Sequence, residues 1–147
     1  MAEIDRSVIG QWGPPATMVV ELGKVREFAR AVQDDAADYA GGQPLAPPTF
    51  LMTIAHWIGD LGATRTGIKL DYRRLLHGEQ EFEYLAPIRV GDVLTFRSRT
   101  KDVFEKQGKR GGTMTFVIGE TEFRNQAGDV VAYLRNTAIE TADAVKE

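Results

Sequence analysis

The chain has two histidines, His56 and His77, and no cysteine, so imidazole and carboxylate are the groups left for acid–base work near neutral pH. His77 begins the run His77-Gly78-Glu79-Gln80, where a loop is expected to enter a strand. A histidine with a carboxylate alongside is the pairing that a general base and its orienting group require. Adjacent strand residues point to opposite faces, which weighs against that pairing and makes loop closure the plainer reading of His77. His56 stands inside an apolar stretch, where a hydrogen-bonded core position is expected. Asp34, followed by Asp35 and Asp38, reads either as a functional carboxylate or as an acidic helix end. The cluster Lys106-x-x-Lys109-Arg110 has the charge to meet phosphates or an acidic protein, but between glycines it equally describes a solvated hairpin tip. No spacing of His, Asp and Glu suggests a metal site, no glycine-rich phosphate loop follows a strand, and Gly41-Gly42 reads as a turn. No metal or other cofactor is expected.

The 147 residues suit one domain, 1–147, with a lead-in over 1–16 and a flexible tail over 142–147. Eighteen Lys+Arg against 21 Asp+Glu leave a formal charge of −3, which offers no basic field for a nucleic-acid backbone. The absence of cysteine excludes disulfides and thiolate chemistry and fits a reducing compartment. The start, MAEIDRSVIGQWGPP, has no apolar core of a signal peptide. The densest apolar stretch, Phe50 to Ile58, falls short of the roughly 18–20 residues needed to cross a bilayer. A soluble, cytoplasmic protein that engages neither membrane nor nucleic acid is expected. A hydrophobic fraction of 43% supports a packed core and argues against disorder.

The elements that must position these residues follow from periodicity. Thr17 to Val20 reads as a short strand. Lys24 to Gln33 carries Val25, Phe28, Ala29 and Val32 at i, i+3, i+4 and i+7, one apolar face of a helix. Asp34 to Pro48, rich in Asp, Ala, Gly and Pro, predicts an irregular loop. After Pro47-Pro48-Thr49, the stretch Phe50–Ile58 is apolar nearly all round, with Gly62 placed to stop it, and a helix of that kind must be buried. From His77 onward the period becomes that of strands: Phe82 and Tyr84 alternate with Glu81 and Glu83, Val93 to Val103 follows, and Met114, Phe116 and Ile118 share one side. Val130 to Ile139 is the last strand. Turn chemistry at 107–112 and 125–129 predicts an antiparallel meander of the last three strands. One antiparallel sheet around one buried helix accounts for this order, and its outer face and edges call for cover by a dimer partner.

The buried helix after a Pro-rich loop, the run Leu76-His77-Gly78-Glu79-Gln80-Glu81-Phe82-Glu83-Tyr84 and the step Pro87-Ile88-Arg89-Val90-Gly91-Asp92 together resemble MaoC-type dehydratases of the hot-dog fold. Within them the chain is most similar to the MaoC-like N-terminal, FAS1-like dehydratase group, over roughly Val20 to Thr141. The resemblance implies an α+β hot-dog fold, an antiparallel sheet wrapped around a long buried helix. It also implies an acyl thioester of coenzyme A or acyl carrier protein as ligand, with the acyl chain lying along that helix. Active members hydrate a trans-2-enoyl thioester reversibly to the (3R)-hydroxyacyl thioester. An Asp-x-Asn-Pro-x-His motif supplies acid and base, and a glycine amide after a histidine donates to the thioester oxygen.

The chain departs from that pattern. Asp34 matches the acid, but the Asn, Pro and His positions hold Ala36, Ala37 and Tyr39, and the His-Gly step has become Pro47-Pro48. A tyrosine is a poor general base at neutral pH, and Pro48 has no N–H to offer an oxyanion. Losing one such donor typically costs about 10²–10³ in rate. Members of this N-terminal type are often the non-catalytic half of a pair, shaping the acyl tunnel while the partner carries the dyad. The expectation is therefore an acyl-thioester-binding subunit of an (R)-specific enoyl-thioester hydratase or (3R)-hydroxyacyl-thioester dehydratase, joined to a catalytic MaoC-like chain. Pro48, Thr49, Met52, Thr53 and Trp57 are the tunnel residues implied by position, although Met52 and Trp57 equally suit plain core filling. The alternatives are a homo-oligomeric hydratase using His77 with Asp34, and a non-enzymatic acyl-CoA binder; a thioesterase lacks a second well-placed carboxylate.

Overall fold

The computed structural model describes residues 3–58, 68–108 and 112–142. In chain order these hold β1 (Glu3–Ile4), β2 (Ala16–Val19), α1 (Leu22–Ala31), α2 (Ala55–Ile58), β3 (Ile68–Lys69), β4 (Leu75–Tyr84), β5 (Val93–Gln107), β6 (Thr113–Arg124) and β7 (Val130–Glu140). Five strands form one antiparallel sheet in the order β2-β5-β6-β7-β4, and β1 pairs with β3 separately. The meander expected of the last three strands is present. Its second turn closes through Asn125, whose Oδ1 accepts from the amides of Ala127 and Asp129, both at 3.0 Å. Gly128 takes the positive φ, +87°, that this turn demands. Among the described residues no helix is long and apolar enough to cross a membrane.

The inner face of the sheet presents Phe96, Phe123, Ala132 and Leu134 to α1 and to the segment 50–58. Phe50 sits edge-on between Phe28 of α1 at 5.7 Å and Trp57 at 6.5 Å, so an aromatic chain joins the two helices over the sheet. A smaller cluster of Ile68, Val103 and Val117 takes Ile4, Val8 and Ile9 from the lead-in.

Several sequence expectations need correction. The first helix runs Leu22–Ala31 rather than 24–33, because Gln33 adopts φ +59° and ends it, leaving Val32 exposed. The loop 34–48 contains a 3-10 turn, Ala36–Tyr39, capped by Asp35. The segment after the prolines is 3-10 over Phe50–Ile54 before α2 begins, and only one side is buried: Met52, Ala55 and His56 face outward. His56 is therefore exposed and not a core histidine. The proposed stop at Gly62 lies outside the described residues. Met114, Phe116 and Ile118 do share a face, but it is the outer one, only half buried; Val117 and Phe123 face inward. His77 is the third residue of β4 rather than its junction, next to a register shift at Gly78.

The outer face is held by charge. Glu120, 3% exposed, receives Arg99 at 2.6 Å, Lys101 at 3.2 Å and Arg135 at 2.6 Å. Glu122 receives Arg97 at 3.1 Å and Arg124 at 2.9 Å. The lead-in is tied to this face: Trp12 lies under the guanidinium groups of Arg97 and Arg99, 4.5 and 4.3 Å from its ring centre. The amides of Gly10 and Gly13 donate to Thr100 and Ser98 of β5, both at 2.8 Å. One sheet edge is thereby extended by the lead-in, whereas β4 on the other edge pairs only with β7 among the described residues.

Candidate functional site

The first candidate group forms where α1 ends. With Gln33 in the left-handed region, the amide of Asp34 returns to the Ala29 carbonyl at 2.9 Å, and the capped 3-10 turn brings Tyr39 back over the helix. The Tyr39 hydroxyl donates to Asp34 Oδ2 at 2.5 Å. Arg26 holds the turn by donating to the carbonyls of Tyr39 at 2.9 Å and Ala40 at 3.0 Å. A cavity of about 350 Å³ opens here, lined by Arg26, Ala29, Arg30, Gln33, Asp34 and Tyr39 among others. The bond to Asp34 is the main cause that pushes the Tyr39 phenol up to about 12, with burial and the charges of Asp34 and Asp38 acting the same way. At neutral pH this phenol keeps its proton and spends it on the carboxylate, so the pair has a donor and an acceptor but no base strong enough to activate water through Tyr39.

The second group surrounds the two prolines. The Tyr84 hydroxyl of β4 donates to the Pro48 carbonyl at 2.5 Å, and burial pushes that phenol up to about 12. Pro48 thus has an occupied carbonyl and no amide hydrogen. It lines an apolar groove of about 450 Å³ with Leu45, Tyr84, Leu85, Pro87 and Ile88. Thr49 is exposed at the helix start. Thr53 is buried and donates to the Phe50 carbonyl at 2.8 Å, and Trp57 is half buried against Phe50.

One turn further on, Met52, 47% exposed, overhangs a third space of about 340 Å³ between the helix and the inner sheet face. His77, Gln80, Leu134 and Asn136 line it, together with Ser98 and Thr121, whose hydroxyls meet at 2.8 Å. Gly119 leaves room for Asn136, whose Oδ1 would lie 2.6 Å from any added Cβ. The structure thus brings Met52 to His77 but does not bring Asp34 to it; the two line separate cavities. Glu79 does not orient His77 either, since it lines a groove with Glu81, Lys101 and Arg135 on the charged face. His56 lies edge-on to Trp57 at 6.4 Å. Lys106 covers the stacked rings of Phe104 and Phe116 at 5.0 and 5.2 Å, while Lys109 and Arg110 are outside the described residues.

Sequence reasoning missed the polar lining of this inner groove, Gln80, Ser98, Thr121 and Asn136. Each is a strand residue whose neighbours alternate with it, so a period-two reading of all four strands, aligned by their turns, contains the signal.

Residues 7–134 match the family described as the FAS1-like dehydratase domain region. A UPF0336 protein of Streptomyces coelicolor is 37% identical over 139 residues, covering 87% of this chain and 89% of that protein. Another, from Streptomyces griseus, is 36% identical over 111 residues, covering 68% and 73%. Among solved structures, the C-terminally truncated HadBC (3R-hydroxyacyl-ACP dehydratase) complex from Mycobacterium tuberculosis superposes with a TM-score of 0.66 at 24% identity, covering 90% of this chain and 96% of that one. A MaoC-like dehydratase superposes at 0.73 and 24% identity, over 91% of this chain and 42% of that one. The (R)-hydratase from A. caviae involved in PHA biosynthesis superposes at 0.60 and 16% identity, over 91% and 98%. The shared architecture is the hot-dog fold, here with a five-stranded antiparallel sheet and few helices. With nearly the whole chain matched, and with the Asp34–Tyr39 pair standing where the helix leads into the Pro-rich loop, the chain belongs to the FAS1-like dehydratase region family.

Proposed function

We propose that this chain is the acyl-thioester-binding half of an (R)-specific enoyl-thioester hydratase or dehydratase, and that a catalytic MaoC-like chain supplies its acid–base dyad. The observation that carries this reading is the Tyr39–Asp34 hydrogen bond: the phenol stands at the motif's imidazole position and is held protonated to about 12. Pro48, without an amide hydrogen, supports the same reading at the motif's glycine position. Two-chain assemblies occur among the structural neighbours, the HadBC complex and the ChsH1-ChsH2 complex of Mycobacterium tuberculosis. In this reading Pro48, Thr49 and Met52 face the acyl group from the exposed side of the helix, and Thr53 and Trp57 hold that helix in place from within. The ligand is a thioester of coenzyme A or acyl carrier protein.

Hydration of crotonyl-CoA, followed by loss of the enoyl absorbance, tests the proposal. The chain alone is expected to give no turnover above background, and turnover is expected when a chain carrying the complete Asp-x-Asn-Pro-x-His motif is added. Robust turnover by the chain alone overturns it. One observation favours a second reading: His77 faces the groove beneath Met52. If the chain is a self-sufficient hydratase using that imidazole, His77→Ala removes at least about 10²-fold of its activity.

A further inference from the structure

The cross-strand register sets two neighbouring polar rungs on the inner face of the sheet, where a continuous core is expected. One rung runs from Gln80 of β4 through Asn136 of β7 and Gly119 of β6 to Thr100 of β5. The next joins Ser98 of β5 to Thr121 of β6 and continues into Leu134. Apolar residues lie on either side: Phe96, Phe123 and Ala132 of the main core at one end, Val103, Val117 and Ala138 of the smaller cluster at the other. The rungs form a polar belt between two apolar clusters, and the space of about 340 Å³ beneath Met52 lies over it.

Part of the belt is spent within the fold. The Ser98 and Thr121 hydroxyls meet at 2.8 Å, and Gln80 Nε2 donates to the Arg135 carbonyl at 2.9 Å. The Asn136 carboxamide and the His77 imidazole, which line the same space, make no hydrogen bond among the described residues. Gly119 lets that carboxamide lie across the belt, since a Cβ there would stand 2.6 Å from Asn136 Oδ1. A methylene chain laid over these groups strips water from them and returns no hydrogen bond, whereas an oxygen on the chain replaces the water. The belt therefore favours a group that a wholly apolar tunnel would penalise.

We infer that the groove beneath Met52 selects thioesters whose acyl group carries a hydroxyl or carbonyl oxygen beyond the reacting carbons, bound by Asn136 and His77, over plain alkyl chains. The inference rests on the acyl-thioester-binding reading and adds which acyl groups the chain takes.

Calorimetric titration of the full chain with ω-hydroxyhexanoyl-, ω-hydroxyoctanoyl- and ω-hydroxydecanoyl-CoA, each beside the unsubstituted thioester of the same length, tests this. At least one hydroxylated thioester is expected to bind about tenfold or more tightly than its plain counterpart. Asn136→Leu keeps the size of the side chain and removes both polar atoms. It is expected to bring the two within about threefold, by loosening the hydroxylated thioester and tightening the plain one. General damage to the fold weakens both instead, and the comparison on the unaltered chain decides the matter even if the variant does not fold. Plain thioesters binding as tightly as hydroxylated ones at every length, or a preference that Asn136→Leu leaves unchanged, overturns the inference alone. Binding of no thioester, with or without a chain carrying the complete Asp-x-Asn-Pro-x-His motif, overturns the accessory-subunit reading and the inference with it.

Discussion

At the scale of single residues, two buried hydrogen-bonded groups make the stability of the fold depend on pH. Tyr39 gains its bond to Asp34 only in the folded state, and its folded pKa lies above the unfolded value near 10. Its contribution is therefore full below pH 10 and lost as pH rises from about 10 to about 12. Absorbance titration at 295 nm should find two tyrosines titrating near 12, one of which Tyr39→Phe removes, and the variant should lose about 1 kcal/mol at pH 7. Glu120 works in the opposite sense. Burial pulls its carboxyl up, but hydrogen bonds from Arg135, Arg99 and Lys101 outweigh that and hold it at about 2. Its contribution is present above about 4.5 and lost as pH falls toward 2. Glu120→Gln should cost about 2–3 kcal/mol by urea denaturation, below the roughly 3–5 of a fully enclosed pair, because Lys101 and Arg99 still reach water.

At the scale of elements, the lead-in acts as a strap over β5. Between Gly10 and Gly13 its attachments are two backbone hydrogen bonds and the cation–π contacts of Trp12, while Ile4, Val8 and Ile9 pack on Ile68, Val103 and Val117 further back. Trp12→Ala should loosen the stretch 10–13 without unfolding the sheet, so the Gly10 and Gly13 amides should lose hydrogen-exchange protection by about tenfold or more, while amides in β6 and β7 keep theirs. Equal loss of protection across the whole sheet would mean that the strap belongs to the cooperative core. The helix after the prolines is the element least like its sequence expectation. Composition made it apolar all round, yet Met52, Ala55 and His56 face outward, beside grooves that no described element covers.

At the scale of the whole molecule, the two sheet edges differ, and that asymmetry gives the partner reading its place. At one edge the short β2 is continued by the chain's own lead-in along β5; the other, β4, is long, flanked by exposed leucines and acidic. The Pro48 groove and the Met52 groove both lie on the β4 side, bordered by Tyr84 and by His77 and Gln80. A chain docked on β4 would stand next to both.

The strand alternation after His77 and the turn signals near 108–112 and 125–129 were legible in the sequence, because each is a local property of residue type and spacing; the losses at Tyr39 and Pro48 were legible only through the resemblance to MaoC-type dehydratases. The local signals determined an antiparallel sheet with a meander, and the resemblance implied its hot-dog class and a dyad supplied by another chain. Only the tertiary structure decided which face of each strand is inner, that His56 is exposed, and that His77 and Glu79 serve different grooves. It also decided that the lead-in runs along β5 and that Tyr39 bonds Asp34. The physical reason is that face and contact depend on register between strands distant in the chain, where one residue of slip, as at Gly78, turns every side chain over.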